Sequence, residues 1–316
     1  MESFIDAVGQ KLKHLIRSSN DDRSNISSLT EIEVTILERI IDRLCIKGAD
    51  NNPTRRKATP IRHIKQVDTW DCGLACIQMV IDWLNTTCNI TEKEQEVQGE
   101  WMMNSVNAKS LWTIDLVILL QNMLDLDTNN SLTSSTSYLF CSKQFGIDAS
   151  YNNFDYYKDA FSEDEIRVKS LFEKAELESL PLLQVSHMSL NILIGLVSRE
   201  NVVAIVLLDN TIFNQQNTMA KGGASSNDDD QSDISYSGHY VVLCGVSRDE
   251  NDINISLMNS QRRDDSETPR YCLVIKNPGV WKETQFVTPS LFEASWRAKG
   301  TDEDIILVAK DLSAQD

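Results

Sequence analysis

The chain has 316 residues, 41% of them apolar and 24% charged, a composition that supports a globular fold with a sizeable core. A formal charge of −17 at pH 7 argues against nucleic acid as a partner, because neutralising phosphates needs a basic face. The chain has no run of about eighteen apolar residues that could cross a bilayer. Its start, MESFIDAVGQKLKHLIRSSN, lacks the pattern of a secretory signal, and its seven cysteines lack the spacing of a disulfide scaffold, so the expectation is a cytoplasmic protein with no membrane span.

In chain order, residues 1–59 read as an accessory helical extension and linker. Phe4, Val8, Leu12 and Ile16 recur every four residues, the spacing of one amphipathic face. SSLTEIEVTILERIIDRLCIKG predicts a second helix, capped at Ser28 or Thr30 and stopped by Gly48. A helical hairpin packed on the main body is the expectation, with docking to a partner or a membrane surface as the second reading. NNPTRRKATP, residues 51–60, is a polar, proline-bounded connector. Residues 60–316 then form the main domain. An extended lead-in runs to Asp71, followed by a helix that is apolar on most sides through Leu74, Ile77, Met79, Val80, Ile81 and Leu84. Further helices are predicted over 109–125 and 163–177, and strands at YLFCS, VVAIVLL, HYVVLCGV and YCLVIKN. Helices first and strands later is an α+β order. Polar insertions at 210–237 and 256–270 have the composition of solvated, mobile loops.

The candidate chemistry starts at WDCGLACIQMV. A thiolate is favoured at a helix N-terminus, where free N–H groups carry partial positive charge, and Cys72 falls in the first turn behind Asp71, a candidate cap. Gly73 permits close approach by another chain or a substrate. Gln66, six residues upstream on an extended segment, can return its amide beside the sulfur. With the Cys72 N–H it makes a two-donor oxyanion hole. Of four histidines, His14 lies in the extension, His63 stands close to Gln66, and His187 punctuates a turn. His239 opens the most strand-like run, where a general base can be held rigidly, and Gly238 leaves room beside it. Asn277 ends the following strand, stopped by Pro278 and Gly279. Adjacent antiparallel strands can bring its carbonyl to the imidazole, fixing tautomer and ring angle. Cys76, one turn beyond Cys72, reads as core packing. No cofactor or metal is expected. The chain lacks G-x-x-x-x-G-K-[ST], and Asp228–Asp230 reads as a solvated acidic run.

Gln66-x5-Cys72 with DCGLAC, then GHYVVLCG, then NPG, resembles the bacteriocin-leader-peptidase branch of the papain-like superfamily. Over about residues 60–310 the chain more closely resembles the family named guanylyl cyclase domain-containing protein 1, which includes plant proteins called soluble guanylyl cyclases. The stretches that carry this are HIKQVDTWDCGLACIQMV, KSLWTIDLVILL, FDYYKDAFSEDEIRVKSLFEKA, SGHYVVLCGV and NPG…FEASWRAKGTDEDIILV. Asn277 stands where the bacterial peptidases usually have aspartate; papain-like enzymes use asparagine.

The resemblance implies a papain-like cysteine peptidase fold, a helical half packed on an antiparallel sheet. It implies Cys72 as nucleophile, His239 as base, Asn277 as orienter and Gln66 as oxyanion donor. The expected activity is a cysteine-nucleophile hydrolase of the peptidase or amidase kind, acting on a peptide or protein. The family name implies guanylate cyclase instead. A transferase using the same triad, or a catalytically idle binding protein, would fit the same residues.

Overall fold

The computed structural model describes residue 40 and residues 58–85, 110–126, 136–148, 150–151, 161–199, 201–214, 236–259 and 269–310. Helix α1 (Cys72–Leu84) is buried along its whole length, as its near-continuous apolar surface requires. Helix α2 (Thr113–Asp125) begins where the Asp115 carboxylate accepts the Trp112 N–H at 2.9 Å, occupying a first-turn donor that the helix leaves open. Strand β1 (Thr136–Ser142), helix α3 (Phe161–Leu177) and strand β2 (Leu182–Gln184) follow. Helix α4 (Leu190–Val197) is capped by Ser189, whose hydroxyl accepts the Ile192 N–H. Strand β3 (Val202–Asp209) runs into the short helix α5 (Asn210–Asn214). Strand β4 (Gly238–Ser247), helix α6 (Glu250–Asn259) and strands β5 (Cys272–Lys276) and β6 (Gln285–Val287) come next. Helix α7 (Pro289–Trp296) is capped by Thr288 with proline in its first turn, and strand β7 (Ile305–Lys310) closes the series.

The strands form one sheet in the order β2-β1-β7-β3-β4-β5-β6. Every neighbouring pair is antiparallel except β1 and β2. β7, last in sequence, lies between β1 and β3. The period of two sends alternate side chains into two cores. Val203, Ile205, Leu207, Tyr240, Val242, Cys244, Ile306 and Val308 pack under α1, α2 and α3. Val202, Ala204, Val206, Val241, Leu243, Ile305 and Leu307 pack under α4 and α7. Burying each valine, isoleucine or leucine among them contributes roughly 1.5–3 kcal/mol.

An α+β protein with a mostly antiparallel sheet is what the element order predicted. Helices cover both faces, however, where one helical half was expected. The reason is that β3, β4 and β7 are apolar on both sides, so each face needs a cover. Within the two polar insertions, 210–214 form α5 and 256–259 belong to α6. Residues 215–235 and 260–268 lie outside the described residues. So do the two predicted N-terminal helices, apart from Ile40, which is helical and fully buried in the second core.

Candidate active site

The lead-in to α1 runs along the sheet and is tied to it at three points. Thr59 N–H donates to the Cys244 carbonyl at 3.0 Å and Gln66 N–H to the Pro278 carbonyl at 3.0 Å. Between them, His63 Nε2 lies 2.9 Å from the Asn277 carbonyl, to which its N–H donates. The register shift between Leu243 and Gly245 makes this possible. Gly245 has φ 151°, and a Cβ there would come within 3.1 Å of the Ala58 backbone, so only glycine lets the segment pass. By this route Gln66 reaches the end of β5, far from it in sequence.

Asp71 stands at the cap position of α1 but makes no capping hydrogen bond with its side chain. Its carboxylate accepts the Val67 N–H at 3.0 Å and the Asp68 N–H at 3.1 Å instead. It therefore holds the turn that joins Gln66 to Cys72. Gly73 admits its neighbours as expected: a Cβ there would meet both Leu116 methyls at 2.9 Å and the Tyr240 ring at 3.2 Å.

His239 and Asn277 are buried at the adjoining ends of β4 and β5, with His239 Nε2 2.8 Å from Asn277 Oδ1. Two further bonds fix which end of the Asn277 amide is oxygen. Gly279 N–H donates to Oδ1 at 2.8 Å, and Nδ2 donates to Gln285 Oε1 at 2.9 Å. Oδ1 accepts, so His239 carries its proton on Nε2, and Nδ1 of the neutral ring keeps a lone pair. Burial pushes the His239 pKa down, with the Asn277 bond opposing, so the ring is held neutral.

The Cys72 sulfur lies at the N-terminus of α1 against β4. Burial pushes its thiol pKa up, while backbone hydrogen bonds from Tyr240 and Gly73 oppose that shift. Cys72 thus lies by Tyr240, the residue after His239, and the two line one cavity. Burial favours the uncharged form of both groups, the thiol and the neutral imidazole. Gln66 borders the same group: a Cβ on Gly279 would touch Asn277 Oδ1 and His239 Cε1 at 3.2 Å and Gln66 Oε1 at 3.4 Å. Its Nε2 donates to the Asp68 carbonyl at 2.6 Å, which leaves one of its two hydrogens for an oxyanion. Gln66 Oε1 is buried without a partner.

The room expected beside Gly238 is taken by Tyr236, whose hydroxyl would lie 2.9 Å from a Cβ there. His187 is on the surface, accepting from Arg297 Nη1 at 2.6 Å through Nδ1. Sequence reasoning missed His63 and Gln285 as the groups that position Asn277. It also missed Asp302 and Asp304, which line a cavity with Cys72. A histidine three residues before Gln66 was the one available signal for the first. Among the described residues no group of three or more His, Cys, Asp or Glu is arranged to hold a metal ion, and no helix is long and apolar enough to cross a membrane.

Fold and site together describe an α+β protein with a cysteine at a helix start beside a buried histidine–asparagine pair. The family model described as guanylylate cyclase matches residues 61–308, and the chain belongs to that family. That span contains Gln66, Cys72, His239, Asn277, Asp302 and Asp304. Guanylyl cyclase 1 of Arabidopsis thaliana is 28% identical over 251 residues, which cover 78% of this chain and 75% of that protein.

Proposed function

We propose that the protein is a papain-like cysteine hydrolase acting on amide or thioester bonds of a peptide or protein. The observation that supports this most is the 2.8 Å bond between His239 Nε2 and Asn277 Oδ1, with Cys72 lining a cavity together with Tyr240, the next residue of β4. The Asn277 bond leaves His239 Nδ1 as the basic nitrogen for the thiol.

In the proposed reaction the Cys72 thiol gives its proton to His239 Nδ1 as sulfur attacks the acyl carbon. The carbonyl oxygen becomes an oxyanion, held by the Cys72 N–H and the second hydrogen of Gln66 Nε2. Collapse breaks the bond to the leaving group, which takes the proton from His239. Water then attacks the thioester with His239 as base, releasing the acid and the free thiol. Val67 and Trp281 lie just beyond Gln66 and the Asn277 turn, and are 88% and 83% exposed. Apolar surface at that rim suits an extended chain as substrate.

A second reading is guanylate cyclase, favoured by the family to which the chain belongs and by the name of its Arabidopsis relative. The two differ in chemistry. Cyclisation needs a ribose hydroxyl deprotonated and a leaving pyrophosphate neutralised, whereas the His239–Asn277 pair and its flanking donors suit a planar carbonyl. The deciding experiment compares the full chain with Cys72→Ala on a panel of peptide amides and thioesters, and on GTP with magnesium or manganese. Acyl cleavage that falls by about 10³-fold or more in the variant is expected, with any cyclic GMP unaffected. Metal-dependent cyclic GMP formation that disappears with Cys72 overturns the hydrolase reading.

A further inference from the structure

Beside Cys72 lies a cavity of about 30 Å³, room for roughly two water-sized groups. Trp70, Trp112 and Tyr236 are among the residues that line it, and so are two acids, Asp302 and Asp304. The two acids come from a tight loop. Asp302 and Glu303 both take left-handed backbone angles, φ 48° and 53°, each a cost of about 1–3 kcal/mol. Gly300 at φ 102° admits the Tyr236 ring, which would lie 2.9 Å from a Cβ.

Asp302 is engaged by the Tyr151 hydroxyl. Asp304 is only half satisfied. Its Oδ2 accepts the Thr113 hydroxyl at 2.5 Å, and Thr113 in turn accepts from the Tyr240 hydroxyl at 3.0 Å. Its Oδ1 is buried and has no hydrogen-bond partner. The Ser142 hydroxyl stands near Asp304 but is donated to the Gln144 carbonyl at 2.6 Å, so it can serve Asp304 only by giving that bond up. A buried carboxylate oxygen left bare costs free energy until a donor meets it.

We infer that this cavity is a specificity subsite for a cationic amine, and that substrates of the Cys72 site carry a primary ammonium group that donates to Asp304 Oδ1. The inference rests on Cys72 being the nucleophile. The cavity's size suits a compact ammonium better than a planar guanidinium. Tryptophan among the lining residues favours a cation over an anion, and the second acid, Asp302, strengthens the field. An anionic or purely apolar group leaves Oδ1 unpaired.

The charge state of the pair supports the same ligand. Burial first, and then the neighbouring Asp302, push the Asp304 carboxyl up to about 8, with Ser142 and Thr113 opposing. Asp302 is raised by burial and by Asp148, and lowered by Tyr151 and Lys143. A bound ammonium favours the ionised carboxylate, so it binds better as pH rises through about 8.

The test uses the full chain and three small chloroacetamides, whose chloride is displaced by the Cys72 sulfur as the thiol proton passes to solvent. One ends in aminoethyl, one in neutral propyl and one in carboxymethyl. Modification of Cys72 is followed by peptide mapping and mass spectrometry. The rate ratio of aminoethyl to propyl is expected to be about tenfold or more at pH 8, where the reagent is still an ammonium, smaller at pH 6, and near one at both pH values in Asp304→Asn. Taking a ratio within one protein cancels the pH dependence of the thiol. Should Asp304→Asn not fold, the pH trend of the wild-type ratio decides alone. A wild-type ratio near one at both pH values, or a preference for carboxymethyl, overturns the subsite and leaves the cavity a water-filled space only. Failure of all three reagents to modify Cys72 overturns the nucleophile and the subsite with it.

Discussion

Asp304 has a consequence for stability separate from the role proposed for it toward substrate. Its carboxyl is raised from 3.8 to about 8 in the folded protein, so the folded state holds a proton that the unfolded chain releases. Such a group contributes stability fully below 3.8, and that contribution is lost as pH rises through about 8. Asp304→Asn keeps an acceptor for Thr113 and removes the titration. The difference in melting temperature, variant minus wild type, is therefore expected to grow between pH 5 and pH 8. Asp302 and Asp115 are shifted the same way, but they are present in both proteins and largely drop out of the difference. Parallel melting curves across that range sink the assignment. At this scale the sequence was legible where a residue's neighbours in the chain define its position, as with Cys72 at a helix start. It was illegible where the task comes from a distant segment. Nothing near Asp304 predicts Thr113 above it, and nothing near Asn277 predicts His63 beneath it, because both contacts are made by folding alone.

At the scale of elements, α1 depends on how closely α2 and β4 approach its first turn. Gly73→Ala places a methyl 2.9 Å from both Leu116 terminal carbons, and Leu116 is fully buried with nowhere to retreat. Overpacking of this kind costs about 1–3 kcal/mol, more than the gain of up to about 1 kcal/mol from alanine's helix propensity. The variant should melt several degrees lower. Adding Leu116→Ala, itself destabilising, should cost less in the Gly73→Ala background than in wild type; additive losses would show that Leu116 is not the obstacle. The long elements were readable because their apolar stretches are long: α1, α2, α3, β3 and β4 all lie where the apolar pattern put them. β2 and β6 are three residues each, too short for alternation to register. α4, LNILIGLV, is apolar nearly throughout and carries no periodic mark.

For the whole molecule, the decisive element is β7. It is buried along its full length and pairs with β1 on one side and β3 on the other. Its residues supply both cores, Ile306 and Val308 to one and Ile305 and Leu307 to the other. Ending the chain after Asp304 removes a central strand and splits the sheet, so that variant should show no cooperative melting transition by circular dichroism. A folded, cooperatively melting product would mean that β1 and β3 can close the gap directly. The same position of β7 governs the order of assembly. Thr136 pairs with Lys310 across most of the domain's length, and contacts that distant in sequence are slow to form because loop closure precedes any gain. α1 can dock on β3 and β4 before that happens, but the loop bearing Asp302 and Asp304 takes its position only as β7 slides between its neighbours. Competence therefore trails compactness: a collapsed intermediate can hold Cys72 beside β4 while the acidic floor of its cavity is still missing.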